Sequence, residues 1–302
     1  MRSVWSFWSK PFHSHESARW SSSFHHLLAW EISVRAAGRH YPDTVLITDK
    51  PGKRLLVDRL GLEFATVSTE LESLNAADSG LWALGKLLAY SLQDCPFLHL
   101  DTDVFLWKPL PPALADSPVI TQCFEGFHNQ NSAYHPEEIE WAFAQERLRL
   151  PVEWEWMRKE RGLIPSQNCG ILGGGHIEFL RYYSRTALDL ALRSEYAAAW
   201  SRIHDKRNHN LVIEQFFLAA CAEFHGSNPT SPYAGVRIDS LFPSWDSCFD
   251  PKRTARIGFT HLMTAKSHPA VASRLEDRVR RENPAYFRRC RQIHQTLPPS
   301  AW

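Results

Sequence analysis

Several signals that would assign a class at once are missing from this chain. There is no C-x-x-C pair: Cys95, Cys123, Cys169, Cys221, Cys248 and Cys290 are scattered singly. That spacing argues against a thiolate zinc site or a dithiol redox motif, and the six are read as reduced, buried, small apolar residues. No segment supplies the roughly 18 consecutive apolar residues of a membrane-spanning helix. The opening "MRSVWSFWSKPFHSH" has neither the unbroken apolar stretch nor the small-residue cleavage site of a signal peptide, so a cytoplasmic location is expected. Charge of one sign is not in excess either. The 34 Lys and Arg nearly cancel the 33 Asp and Glu, leaving a formal charge of +1 and no field that would gather nucleic acid. Internal repeats and long low-complexity tracts are absent.

What remains is a chain of 302 residues, 44% of them hydrophobic, enough to bury a large core in one elaborate α/β domain. Its twelve Trp serve as core filler or as flat platforms for the C–H faces of sugars and for nucleobases. The first hundred residues alternate strand-like and helix-like segments, which predicts a mixed, mostly parallel sheet flanked by helices. Residues 3–8, "SVWSFW", form the first predicted strand, ended by Pro11. A helix over 21–38 is N-capped by serine, with Gly38 in the C′ position. "TVLIT" (44–48) is a strand, followed by a short helix to Gly61 and a third strand at "FATVST". A helix capped by Asp78 or Ser79 then leads into "PFLHL" (96–100), the fourth strand. "PVITQCF" is a fifth, residues 124–165 read as a helical insertion, and "NCGILGGG" gives a short strand and a glycine turn before a helix. A further helix covers "LVIEQFFLAACAEF", a late strand "ARIGFTHL", and a basic C-terminal helix breaks at Pro284.

Asp101 and Asp103 therefore sit just past the carboxyl end of a strand, where open parallel sheets bind ligands. In a strand-to-loop bend, residues i and i+2 can turn toward one point. Two neighbouring carboxylates repel unless a cation joins them, and Mg²⁺ or Mn²⁺ favours a few carboxylate oxygens together with the phosphate oxygens of a substrate. The alternative is a solvated surface turn, since D-x-D is a common pattern.

The segment "FLHLDTDVFLWKPLP" resembles the metal-binding D-x-D segment of GT-A-fold glycosyltransferases. From "WSFWSKPF" onward the chain is similar to a bacterial family of uncharacterised proteins of that type, with glycogenin and lipopolysaccharide galactosyltransferases as distant relatives in fold. The resemblance implies a GT-A-like (Rossmann-like) domain over 1–302, with a nucleotide-binding half (1–123) and an acceptor half (124–302). It also implies Mn²⁺ or Mg²⁺ as cofactor. Asp103 would be the stronger metal ligand and Asp101 would serve metal and ribose. A third ligand comes from a histidine in "GFTHLMTAKSHP", where His261 with Lys266 matches the family's region and His268 competes; Thr264 departs from the glycine of the pattern. Lys86 faces the donor by the same resemblance, Asn168 and Gly170 belong to an Asn-x-Gly strand that meets the sugar, and Glu214 with Gln215 grips the donor sugar. A carboxylate in so apolar a helix needs a polar partner, either a sugar or an internal salt bridge to an arginine. Trp5, Ser6 and Trp8 lie where the fold holds uracil and ribose, although Trp5 and Phe7 also suit core packing; Asp49 is a weaker candidate.

The function that follows is metal-dependent transfer of a hexose from a nucleotide sugar, UDP-linked, to an unknown glycan, lipid-linked or protein acceptor, with retention. Lys266 and Lys86 would help neutralise the departing diphosphate. A catalytically degenerate nucleotide-sugar or carbohydrate-binding protein is the alternative. A haloacid-dehalogenase phosphatase reading of "DTDVF" is a weaker rival, since that motif wants Thr or Val where Phe105 stands. The Arg-rich C-terminal helix adds an expectation of peripheral contact with anionic membrane.

Overall fold

The computed structural model describes residues 1–13, 20–127, 135–160 and 164–296. Its strands form where β-branched and aromatic residues run together. β1 (Arg2–Phe7) and β2 (Thr44–Thr48) are buried along most of their length, as parallel strands covered on both faces must be, and they pair in parallel with Trp5 opposite Leu46. β3 (Thr66–Ser68) joins β2 in parallel, and β4 (Phe97–Leu100) is buried throughout. The others are β5 (Val104–Leu106), β6 (Val119–Thr121), β7 (Phe124–Phe127), β8 (Ile164–Gln167), β9 (Ile171–Gly174), β10 (Ile238–Ser240) and β11 (Phe259–His261). Seven of them make a mostly parallel sheet in the order β10-β6-β9-β4-β1-β2-β3, while β5 with β11 and β7 with β8 form two antiparallel ribbons. The predicted α/β class, a mostly parallel sheet flanked by helices, is the one observed.

The chain divides into two compact units. One comprises Met1–Ser79, Leu98–Pro111 and Pro251–Trp302, the other Gly80–Phe97 and Pro112–Asp250. Each interleaves distant segments, so neither coincides with the halves 1–123 and 124–302. In the first unit, helix Ser23–Gly38 is buried on nearly every side, because it packs on β5 and against helices Pro269–Glu282 and Pro284–Thr296. The C-terminal helices do break at Pro284. Their arginines face inward as well as out: Arg278 stacks 4.0 Å over Trp107, and Arg289 donates to the Leu60 carbonyl at 2.7 Å. No helix among the described residues is long and apolar enough to cross a membrane.

In the second unit the predicted insertion contains helices Pro136–Gln145 and Val152–Glu160, but the β7/β8 ribbon brackets them. Residues 128–134 and 161–163 of that stretch lie outside the described residues. The single strand expected over 118–124 is two strands, β6 and β7. Other boundaries also moved. β1 stops at Phe7, and Pro11 lies within a short helix, Ser9–His13, rather than ending the strand. Gly38 is the last helical residue, followed by a right-handed Arg39, so no left-handed cap is needed. The helix expected from Asp78 or Ser79 spans Leu84–Ser91, because a side chain far along the sequence serves its start: Asn210 Oδ1 accepts the Ala83 N–H at 2.7 Å. Residues 255–257 of the predicted late strand belong to helix Pro251–Ile257, which Gly258 terminates at φ +76 before β11. β5, β8 and β10 were not anticipated.

In the glycine run, Gly174 alone among those with a positive φ has φ +129, and a Cβ there would stand 2.3 Å from the Pro118 carbonyl oxygen. At Gly175 the nearest neighbour, the Ser117 carbonyl oxygen, would be at an ordinary 3.6 Å. Gly174→Ala is therefore expected to lower unfolding free energy by about 2–4 kcal/mol, and Gly175→Ala to change it by less than about 0.5 kcal/mol, in urea denaturation.

Candidate functional site

β4 ends in Leu100, and the next three residues make a turn closed by the Val104 N–H donating to the Asp101 carbonyl at 3.0 Å. The chain returns as β5, which pairs antiparallel with β11 in a register that sets Val104 opposite His261. One step further, the Leu262 N–H donates to the Asp103 carbonyl at 3.0 Å. This ribbon carries His261 and the turn behind it, Met263–Ser267 with Lys266, to the aspartates. Asp101, Asp103 and His261 each offer one ligand atom, all within 4.8 Å of one another. His261 Nε2 lies 3.5 Å from Asp103 Oδ1, while Lys266 Nζ donates to Oδ2 at 2.8 Å.

Asp103 is only 5% exposed. Burial alone would raise its pKa, but the Lys266 charge, then His261 by charge and hydrogen bond, outweigh that and hold the carboxyl well below the usual carboxylate range. It is an anion with one oxygen turned to the imidazole. Two carboxylates and an imidazole are hard and borderline donors, a set that suits Mg²⁺ or Mn²⁺. His268 does not belong to this cluster; it is exposed and its Nδ1 accepts the Ala270 N–H at the head of helix Pro269–Glu282.

Three further groups surround the turn, none of them singled out from the sequence. His26, on helix Ser23–Gly38, meets Thr102 Oγ1 at 3.2 Å and stacks on Trp20 with centroids 5.5 Å apart. Lys266 Nζ lies 5.9 Å over the same Trp20 ring. His99 precedes Asp101 by two residues on β4; its Nε2 meets Ser6 Oγ at 2.9 Å and its Nδ1 lies 4.0 Å from Asp101 Oδ1. That Ser6–His99 contact sets the ends of β1 and β4 side by side, at the point where the strand order reverses. A histidine in the otherwise apolar "FLHL" was the one sequence signal for this group.

Other expected residues took structural roles. Trp5 is fully buried and donates its indole N–H to Ser33 Oγ at 2.9 Å, so it is core and presents no face to a base. Trp8, 5% exposed, has an indole nitrogen with no hydrogen-bond partner among the described residues. Asp49 caps helix Lys50–Lys53 through the Gly52 N–H and also accepts from the Ser9 N–H and hydroxyl, tying the ends of β1 and β2 together.

In the second unit, Lys86 and Glu214 find each other. Glu214 is wholly buried, and its Oε1 accepts from Lys86 Nζ and from the Tyr90 hydroxyl, each at 2.8 Å. The polar partner that the sequence demanded is thus a lysine instead of an arginine, and Lys86 is itself only 8% exposed. What the structure shows of Glu214 is that it holds Lys86 and Tyr90 through Oε1. Gln215 is buried beside it. Asn168 donates to Glu125 Oε1 at 2.6 Å and accepts the Gly170 N–H at 3.0 Å, so both ends of its amide have protein partners and Gly170 is buried under it.

The pKa of His26 is lowered to about 4, by burial first and by Lys266 second, against an opposing pull from Asp103. A depressed folded-state pKa means the neutral form belongs to the fold. The stability His26 contributes is complete above the unfolded value near 6.5 and is lost as pH falls toward 4, a decline of about 3 kcal/mol. Denaturant titrations in chelator between pH 7 and pH 4 should show this slope in the wild type and a shallower one in His26→Gln.

No curated protein matches the chain. The family model described as "Family of unknown function (DUF6734)" matches residues 1–293, and the chain belongs to that family.

Proposed function

We propose that the protein is a metal-dependent glycosyltransferase of the GT-A type, moving a hexose from a nucleotide sugar, UDP-linked, to an acceptor hydroxyl with retention. The observation that carries this reading is Asp103, buried at the end of β4 with His261 on one oxygen and Lys266 on the other. Asp101, Asp103 and His261 would hold Mn²⁺ or Mg²⁺, which when bound supplies Lewis-acid neutralisation of the charge that grows on a departing diphosphate. Lys266 contributes a second positive charge at the same place, fixed in advance by Asp103. His26 stays neutral there, so its stacking with Trp20 closes that side without repelling the cation. His99, held by Ser6, lies beside Asp101. In the second unit, Glu214 and Tyr90 hold the Lys86 ammonium in a fixed place.

A catalytically degenerate nucleotide-sugar-binding protein is favoured by one observation: Lys266 already gives Asp103 a full counter-charge. Release of UDP from a panel of UDP-sugars, with and without Mn²⁺, separates the two. Transfer predicts Mn²⁺-dependent release that falls at least about 100-fold in Asp103→Ala and in Lys266→Ala. Turnover unaltered in Asp103→Ala refutes the assignment, and UDP binding without release supports the degenerate protein.

A further inference from the structure

The second unit contains a cavity of about 450 Å³, within the range of about 300–1,000 Å³ usual for small-molecule sites. Helix Phe217–Ser227 packs on both β8 and helix Val152–Glu160, and the cavity opens where these meet β10. Buried Ala219, Ala222 and Val236 line its apolar part, and the half-buried Trp156 supplies an aromatic wall. Small residues matter on this helix because the backbone crosses closely: a Cβ on Gly226 would stand 2.4 Å from the Val236 carbonyl oxygen.

The walls are fixed by a buried polar network. Glu153, 1% exposed on helix Val152–Glu160, accepts from Tyr182 and meets His225 Nε2 at 3.1 Å, while His225 Nδ1 meets Ser231 Oγ at 2.7 Å. Trp156 follows Glu153 by one turn and packs edge-on against Phe224. The ring is therefore held in place before any ligand arrives.

Gln167 is the polar group that gives the cavity a purpose. It is 8% exposed, and Thr121 Oγ1 donates to its Oε1 at 2.9 Å. Gln167 lines the cavity, and with Oε1 on Thr121 its NH₂ makes no hydrogen bond among the described residues. Glu223 and Arg237 line the same space with opposite charges, so the site has no net preference for an anion or a cation.

We propose that this cavity is a saccharide-binding site. A pyranose has an apolar C–H face for Trp156 and hydroxyls that both accept, from the Gln167 amide and Arg237, and donate, to Glu223. The site uses neither the metal cluster nor a diphosphate, and it stands whether or not the protein transfers sugars.

Titration of tryptophan fluorescence and of ligand-observed NMR signals with maltose, cellobiose and N,N′-diacetylchitobiose, in EDTA, tests the proposal. At least one disaccharide should bind saturably. Its affinity should fall at least about tenfold in Trp156→Ala. It should fall similarly in Gln167→Glu, which keeps the oxygen for Thr121 and removes the NH₂ donor; thermal unfolding and circular dichroism verify that both variants fold. The proposal is overturned by absence of saturable binding, by affinity unchanged in both folded variants, by binding that requires Mn²⁺, or by p-nitrophenol binding as tightly as the best disaccharide. Loss of Mn²⁺-dependent UDP release with disaccharide binding intact would sink the transferase reading alone.

Discussion

A carboxylate taken out of water must be met by charge and by hydrogen bonds, and Asp103 imposes that requirement on everything near it. It lies in the turn between β4 and β5, on a backbone path set by the strands on either side. The groups that compensate it come from β11 and the turn after it. Their arrival depends on register. A slip of one residue between β5 and β11 would move His261 to the opposite face of the ribbon and leave the carboxylate without its imidazole. Helix Ser23–Gly38, packed on β5, places His26 against the same turn, so the core and the candidate site share their supports.

The second unit meets a related problem with Glu214. Here a wholly buried carboxylate is paired with a nearly buried lysine and a tyrosine hydroxyl, and Lys86 also donates to the Cys169 carbonyl at 3.2 Å. Breaking such a pair leaves an uncompensated charge in the interior, whereas the intact pair contributes little net stability. In both arrangements a lysine against a buried acid is held in a fixed place.

Much of the architecture was legible because it depends on local pattern. Alternating β-branched strands and periodic helices identified the α/β class, and the apolar run ahead of Asp101 located the acids at a strand end. The misread boundaries share a cause. Asn210 starts helix Leu84–Ser91 from far along the chain, the three-residue strands β5 and β10 exist through their partners, and Trp5 reads equally well as core or platform until Ser33 meets its indole. Non-local contacts of this kind leave no trace in a window of neighbouring residues.

From its order of residues alone, then, the chain determined that two carboxylates stand together where a buried strand meets a loop, since strand period and apolar burial are written into adjacent positions. Tertiary structure decided what those carboxylates face. His261 joins them while His268 caps a helix, Lys266 rests on Asp103, and Lys86 closes on Glu214. The physical reason is that each of these choices follows from strand register and helix packing between distant segments, where a shift of one residue or one turn would bring a different side chain to the same place.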